Sequence, residues 1–154
     1  MKVKDIMTKN VVTIKKDNTI LDAMVIMKDS NIGFLIVEEN NEAIGVFTDR
    51  DIIMFLAKEH SLTTTVSKMM KKYVVSIEKD KDVIEASDVM GYMQIRRLVV
   101  TENEKICGVI SVSDFLKSQK TEHLTTETLV EISYNYESHY DKISDILQIS
   151  AYVF

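Results

Sequence analysis

The chain is written twice. Residues 3 to 54 lie over residues 66 to 117 at a constant offset and without a gap, and about a third of the aligned positions are identical, against roughly 6% expected by chance. The matches include Val11 and Val12 with Val74 and Val75, Ile14 with Ile77, Asp17 with Asp80, Ala23 with Ala86, Met27 with Met90, Ile32 with Ile95, Leu35 with Leu98, Gly45 with Gly108, and Asp51 with Asp114. Such a duplication restricts the fold to two like units. A unit of about 60 residues is marginal alone, because it buries too little apolar surface. The copies are therefore expected to pack on each other with pseudo-two-fold symmetry, and neither half to fold well by itself.

Within each copy the order reads β-α-β-β-α, an α+β unit. Val11 to Ile14 is β-branched and stops at the turn residues Lys15, Lys16, Asp17 and Asn18. A helix follows, with Ile20, Ala23, Met24 and Met27 at helical spacing; Thr19 with Asp22, and Asp82 with Glu85 in the second copy, supply its capping pattern. Gly33 is expected to close that helix. Phe34 to Val37 reads as a strand buried on both faces, Glu38 to Glu42 as a hairpin turn, and Ala43 to Phe47 as the third strand. The second helix spans Asp49 to Lys58 with Ile52, Ile53, Phe55 and Leu56 as its core stripe.

The resulting division is a first repeat over 1–60, a polar linker at 61–65, a second repeat over 66–119 and a helical C-terminal extension over 120–154. The extension reads as two helical pieces, one carrying Leu129, Val130 and Ile132, the other Tyr140, Ile143, Ile146 and Leu147. Its apolar, Tyr-rich end is expected to pack on this chain or on a second copy, since water is a poor neighbour for it.

Composition excludes several functions. A hydrophobic fraction of 45% with 28% charged residues describes a globular domain with enough apolar material for a core. The apolar runs fall far short of the roughly 18 to 20 residues of a membrane helix. The amino end shows no secretory h-region, and the single cysteine, Cys107, leaves no internal disulfide and no multi-cysteine zinc site; both point to the cytoplasm. A net charge of -5 disfavours nucleic acid, which rewards a concentrated basic face. Cys107 lies in an apolar strand as an inert thiol, and His60, His123 and His139 fall in linker or tail without a partner motif, so no catalytic residue and no metal site is expected.

The most chemically loaded stretch is Gly45-Val46-Phe47-Thr48-Asp49-Arg50-Asp51, repeated as Gly108-Val109-Ile110-Ser111-Val112-Ser113-Asp114. A strand that turns directly into a helix start presents backbone N–H groups and the positive end of the helix dipole, a setting for phosphate. Thr48 adds a hydroxyl and Arg50 a charge, Gly45 permits close approach, and Asp51 can hold two neighbouring hydroxyls, as acidic residues hold ribose elsewhere. The same Thr-x-x-Asp and Ser-x-x-Asp spacing is equally a helix cap. On chemistry alone both readings stand.

Asp5-Ile6-Met7-Thr8, Val11 to Ile14, Asn31 to Val37 and Gly45 to Ile52 together resemble a CBS domain, named for cystathionine β-synthase, and Ile95 to Val100 with Gly108 to Asp114 resemble it again. The resemblance covers residues 3 to about 119. Paired CBS domains form a Bateman module. The resemblance implies a regulatory unit that binds AMP, ADP, ATP or S-adenosylmethionine between the copies, without turnover, as a homodimer acting on an effector protein. The alternative is an interaction dimer with empty clefts.

In the family's Gly-h-h-Ser/Thr-x-x-Asp motif, h being apolar, the acid holds ribose and the hydroxyl approaches phosphate. These roles carry over to Asp51 and Thr48, and to Asp114 and Ser111. Val12-Thr13 and Val75-Ser76 would meet adenine through backbone groups, while Ile32, Gly33 and Phe34, and Ile95, Arg96 and Arg97, would wall the base or reach phosphate. Arg50, with Ser113 in its place in the second copy, marks the first cleft as the stronger phosphate site, and Arg96 and Arg97 are read as the second copy's compensation. The family often carries proline near its first strand; this chain has none.

Overall fold

The computed structural model describes residues 1–59 and 61–134. The elements, in order, are α1 (Val3–Ile6), β1 (Thr13–Lys15), α2 (Ile20–Ser30), β2 (Phe34–Glu39), β3 (Glu42–Thr48) and α3 (Asp49–Glu59). A short 3-10 turn (Val66–Lys68) leads to β4 (Ser76–Glu78), α4 (Val83–Met93), β5 (Arg97–Glu102) and β6 (Lys105–Ser111). A second 3-10 segment (Val112–Lys117) and α5 (Glu122–Ser133) complete the described chain. The strands and the first long helix of the two repeats coincide at the sequence offset, and so do their registers, Thr13 opposite Ile36 and Ser76 opposite Val99. Each repeat holds a three-stranded sheet, with its first strand parallel to the second and the second antiparallel to the third. The α+β architecture is the one expected.

Each repeat's hairpin turns on two residues with positive φ, Asn40 (52°) and Asn41 (64°) in the first and Asn103 (50°) and Glu104 (66°) in the second. A pair of left-handed residues suits the strand twist, which explains two-residue turns built without glycine. The left-handed helix caps are Asn31 and Gln94, not Gly33. Gly33 instead makes room: a Cβ there would lie 2.8 Å from Asp49 Oδ2. Two expected core residues face outward, Met24 at 39% and Ile53 at 67% exposure. The buried stripe of α3 is Ile52 with Phe55 and Leu56 partly covered, an i, i+3, i+4 set from which Ile53 falls aside.

The sheets pack through Ile36, Val99 and Ile106, with Val11, Phe34, Val46, Val74 and Val109 around them. Pseudo-symmetry therefore brings repeat mates together near the axis. Ile36 sits with its mate Val99, and Lys105 donates to the carboxylate of its mate Glu42 at 2.7 Å.

The repeats also exchange their leading turns. Val3 and Ile6 are buried in the core of the second repeat, with Val3 N–H donating to Lys81 O at 2.9 Å. Reciprocally, Val66 is buried in the first repeat's core and donates to Asn18 O at 2.8 Å, with Met69 and Met70 packed beside it. The linker is pinned as well: Ile20 N–H donates to Thr64 O and Leu21 N–H to Leu62 O. Each core is thus closed by the leading residues of the other repeat.

The second repeat's last helix is a 3-10 segment rather than the expected α-helix. Four of its six residues, Val112, Ser113, Asp114 and Phe115, are weak helix formers, and the buried hydroxyl of Thr121 donates to Phe115 O at 2.6 Å, turning the chain into α5. α5 packs on α4 through buried Leu124 and Thr128, the latter hydrogen-bonded to Ser87 at 2.6 Å. The second helical piece expected in the extension, with Tyr140 to Leu147, lies outside the described residues.

Candidate functional site between the repeats

β3 ends at Thr48 and α3 begins at Asp49, so the repeated turn is the strand-to-helix junction expected. Thr48 and Asp51 form a reciprocal capping box: Thr48 N–H and its hydroxyl donate to Asp51 Oδ2 at 2.9 and 2.8 Å, and Asp51 N–H donates to Thr48 Oγ1 at 3.2 Å. The cap uses one carboxylate oxygen. The other, Oδ1, pairs with Lys71 Nζ at 3.0 Å, from the leading segment of the second repeat. Burial pushes the Asp51 carboxyl up, but the hydrogen bonds from Lys71 and Thr48 outweigh it and hold the group below its ordinary value.

Asp51 opens onto a cavity of about 950 Å³ lined by both repeats. Of the residues singled out from the sequence, the structure brings Phe34, Thr48, Asp51, Val75, Ile95, Arg96 and Arg97 together here. The apolar walls also include Val46, Val99 and Ile132, and Tyr73, Tyr92, Met93 and Gln94 border the space. Ile132 comes from α5, and just past that helix Tyr134 accepts a hydrogen bond at its backbone oxygen from Gln94 Nε2 at 2.6 Å. This part of the extension belongs to the cleft's rim.

Val12, Thr13, Ile32, Gly33, Arg50, Ser76, Ser111 and Asp114 are not among the residues lining this cavity. Val12 and Ile32 flank the first core, Thr13 pairs in β1, and Arg50 is exposed with its N–H on Asp49 Oδ1 at 2.7 Å. Ser76 borders a smaller cavity of about 440 Å³ beside Glu42, Glu78 and Glu104. Ser111 and Asp114 repeat the capping box, with Ser111 N–H and hydroxyl donating to Asp114 Oδ2 at 2.7 and 2.6 Å and Lys117 Nζ on Asp114 Oδ1 at 2.6 Å. Arg96 and Arg97 run beside Ser111 in backbone, where Val112 N–H donates to Arg96 O at 3.1 Å, yet they line the cleft of Asp51.

Lys71, Lys72 and Tyr73 were not singled out from the sequence. Their place is set by a bridge between the repeats, Val46 and Lys71 exchanging N–H···O bonds of 2.9 Å. The repeated glycines serve this crossing, since a Cβ on Gly45 would lie 2.5 Å from Met70 Sδ and one on Gly108 2.6 Å from Met7 Sδ. Close approach at Gly45 is therefore to the partner repeat's leading segment.

Elsewhere the chemistry is quiet. Burial pushes the Cys107 thiol up, away from the thiolate a nucleophile needs. His123 is exposed on the first turn of α5; His60 and His139 lie outside the described residues. Among the described residues, no three His, Cys, Asp or Glu side chains converge as a metal site requires, and no helix is long and apolar enough to cross a membrane.

A sheet pair related by a pseudo-two-fold axis, with a capped acid facing a cleft between the halves, defines a tandem module, and known proteins bear this out. The CBS domain profile matches residues 3–58 and again 66–120, so the chain belongs to the CBS-domain family. The CBS domain-containing protein YhcV of Bacillus subtilis is 32% identical over 133 residues, covering 86% of this chain and 95% of that one. Among solved structures, the CBS domain pair of MJ0100, in complex with 5'-methylthioadenosine and S-adenosyl-L-methionine, has a TM-score of 0.69 at 24% identity, covering 76% of this chain and 94% of that one. The CBS domain protein PAE2072 of Pyrobaculum aerophilum, complexed with AMP, has a TM-score of 0.74 at 17% identity, covering 82% of this chain and 99% of that one. At those identities the two structures speak to the fold.

Proposed function

We propose that the chain is a regulatory module that binds an adenosine ligand, AMP, ADP, ATP or S-adenosylmethionine, in the cleft between its repeats without converting it. The observation that carries this reading is the disposition of Asp51: Oδ2 is fixed by the cap, Oδ1 is held by Lys71, and the residue lines a cavity walled by both repeats. Ribose hydroxyls would take the place of Lys71 on Oδ1, freeing the ammonium for phosphate. Val75, Ile95 and Phe34 supply apolar contact for a base. The adenosine ligands in the two structural neighbours support the same ligand class.

Binding stabilises whichever arrangement of the two repeats it contacts best, and that differential affinity is the signal. Because Ile132 lines the cleft and Tyr134 is bonded to Gln94 at its rim, α5 would pass occupancy onward to an effector protein. The output is a change of shape.

A second reading, an interaction dimer with empty clefts, draws on a face of the first repeat that is uncovered among the described residues, where Leu21, Met24 and Val25 on α2 and Ile53 and Met54 on α3 are exposed. The equivalent face of the second repeat carries α5. That face supports homodimerisation in either reading, so ligand binding is what separates them. Thermal unfolding with AMP, ADP, ATP and S-adenosylmethionine is the test. Ligand at about 100 times its Kd stabilises by ~2.7 kcal/mol, a rise of several degrees in Tm; no shift with any of the four at millimolar levels leaves the dimer reading.

A further inference from the structure

The two clefts of a duplicated module begin alike, so their differences record what each was shaped to hold. Four cationic side chains, Lys71, Lys72, Arg96 and Arg97, line the cavity at Asp51. At the offset of the repeat, the first copy has Thr8 for Lys71, Gly33 for Arg96 and Phe34 for Arg97; only Lys9 keeps the charge of Lys72. Three of the four cations are therefore departures from the repeat, and all fall on one cleft.

Their charge is largely uncompensated. Lys71 is neutralised by Asp51 at 3.0 Å, whereas among the described residues no carboxylate lies within ion-pair distance of Lys72, Arg96 or Arg97. Arg97 sits over the ring of Phe34, its guanidinium carbon 5.7 Å from the centroid, which holds it at the wall without using its donors. Among the described residues, Asp51 is the one carboxylate in the cavity's lining, in a chain whose net charge is -5. A positive cleft in an acidic protein marks an anionic occupant.

We infer that the cleft at Asp51 selects a polyphosphorylated adenosine, ATP or ADP, over AMP and over the cationic S-adenosylmethionine, with Lys72, Arg96 and Arg97 gripping the terminal phosphates. This inference rests on the nucleotide reading of the cleft. Asp51 takes the ribose, and the cations beyond it meet the phosphate chain. Each added phosphate brings further negative charge and further acceptor oxygens within reach of guanidinium and ammonium donors, strong charge-assisted contacts. A sulfonium with an amino acid tail meets three unbalanced positive groups instead.

Calorimetric titration of the full chain with ATP, ADP, AMP, S-adenosylmethionine and inorganic tripolyphosphate tests this. ATP is expected to bind about tenfold or more tighter than AMP at low ionic strength, with S-adenosylmethionine weakest, and the ratio is expected to contract as salt is added. Lys72→Ala with Arg96→Ala is expected to collapse the ATP-to-AMP ratio, whereas Lys9→Ala, at the mate of Lys72, leaves it intact. AMP binding as tightly as ATP, or S-adenosylmethionine matching either, overturns the selectivity while the nucleotide reading stands. Tripolyphosphate binding as tightly as ATP shows a site for the phosphate chain alone and overturns it too. No binding by any adenosine compound removes both.

Discussion

Arg97 lies over Phe34, its guanidinium carbon 5.7 Å from the ring centroid, and the two are the same position of the repeat. Near a two-fold axis a residue meets its own mate, so a perfect duplication would set like against like here. Divergence has turned that contact into a cation on an aromatic face, as it set Lys105 on Glu42. Phe34→Leu keeps apolar bulk but removes the ring from a half-buried position, and the lost contact with the exposed Arg97 is expected to cost up to ~1 kcal/mol. In a double-mutant cycle read by chemical denaturation, Arg97→Ala should cost less when combined with Phe34→Leu than in the parent. Zero coupling sinks the contact.

Asp51 both caps α3 and faces the cleft, and two substitutions separate these duties. Asp51→Ala removes the cap and is expected to destabilise by ~1 kcal/mol. Asp51→Asn retains an acceptor for the Thr48 donors and should lose less stability. Both should lose ligand binding, because an amide cannot hold two ribose hydroxyls as a carboxylate does. Asp49→Ala, outside the cavity's lining, should bind normally. If Asp49→Ala and Asp51→Ala weaken binding equally, the ribose role is wrong.

The depressed carboxyl of Asp51 gives a pH signature. A group whose folded pKa lies below its unfolded value contributes stability above the unfolded value and loses it as pH falls through the folded one. Its contribution should therefore be complete above the ordinary 3.8 and decline at more acid pH. Asp22, Asp80 and Asp82 shift in the same direction, so the measurement is the difference between the parent and Asp51→Asn across acid unfolding curves. Parallel curves for the two proteins count against a titrating role for Asp51.

Gly45→Ala should destabilise by ~1 to 3 kcal/mol, since the added Cβ would lie 2.5 Å from Met70 Sδ. Pairing it with Met70→Ala should recover part of the loss. Gly108→Ala should likewise be rescued only in part by Met7→Ala, because Thr8 O stays 3.1 Å from the new Cβ, as Met70 Cβ does at Gly45. Full rescue at either site, measured by denaturant midpoint, would mean that the backbone yields.

Much of the fold was legible because it rests on local pattern and on the repeat. The strands, α2, α3 and the Thr48–Asp51 junction follow from β-branched runs, helical spacing and capping residues. Gly33 misled because asparagine and glutamine also adopt left-handed caps, at Asn31 and Gln94. The exchange of leading turns was hidden for a different reason: Val3 and Val66 are identical, so either fits either core and pattern cannot choose between them. That ambiguity concealed Lys71 and Lys72, which reach the cleft only because their segment crosses to β3. It also made Arg96 and Arg97 read as the second copy's own compensation, whereas they line the cavity that holds Asp51.

The crossed leading turns impose an order on birth as well as on architecture. A ribosome delivers β1 to α3 before Val66 exists, so the first core waits, with the niche beside Gly45 empty, until Met70 emerges. The second core then recruits Val3 and Ile6, made long before the strands they close. Each core thus depends on contacts between residues far apart in the chain, and the two halves are expected to reach their native state together rather than one after the other.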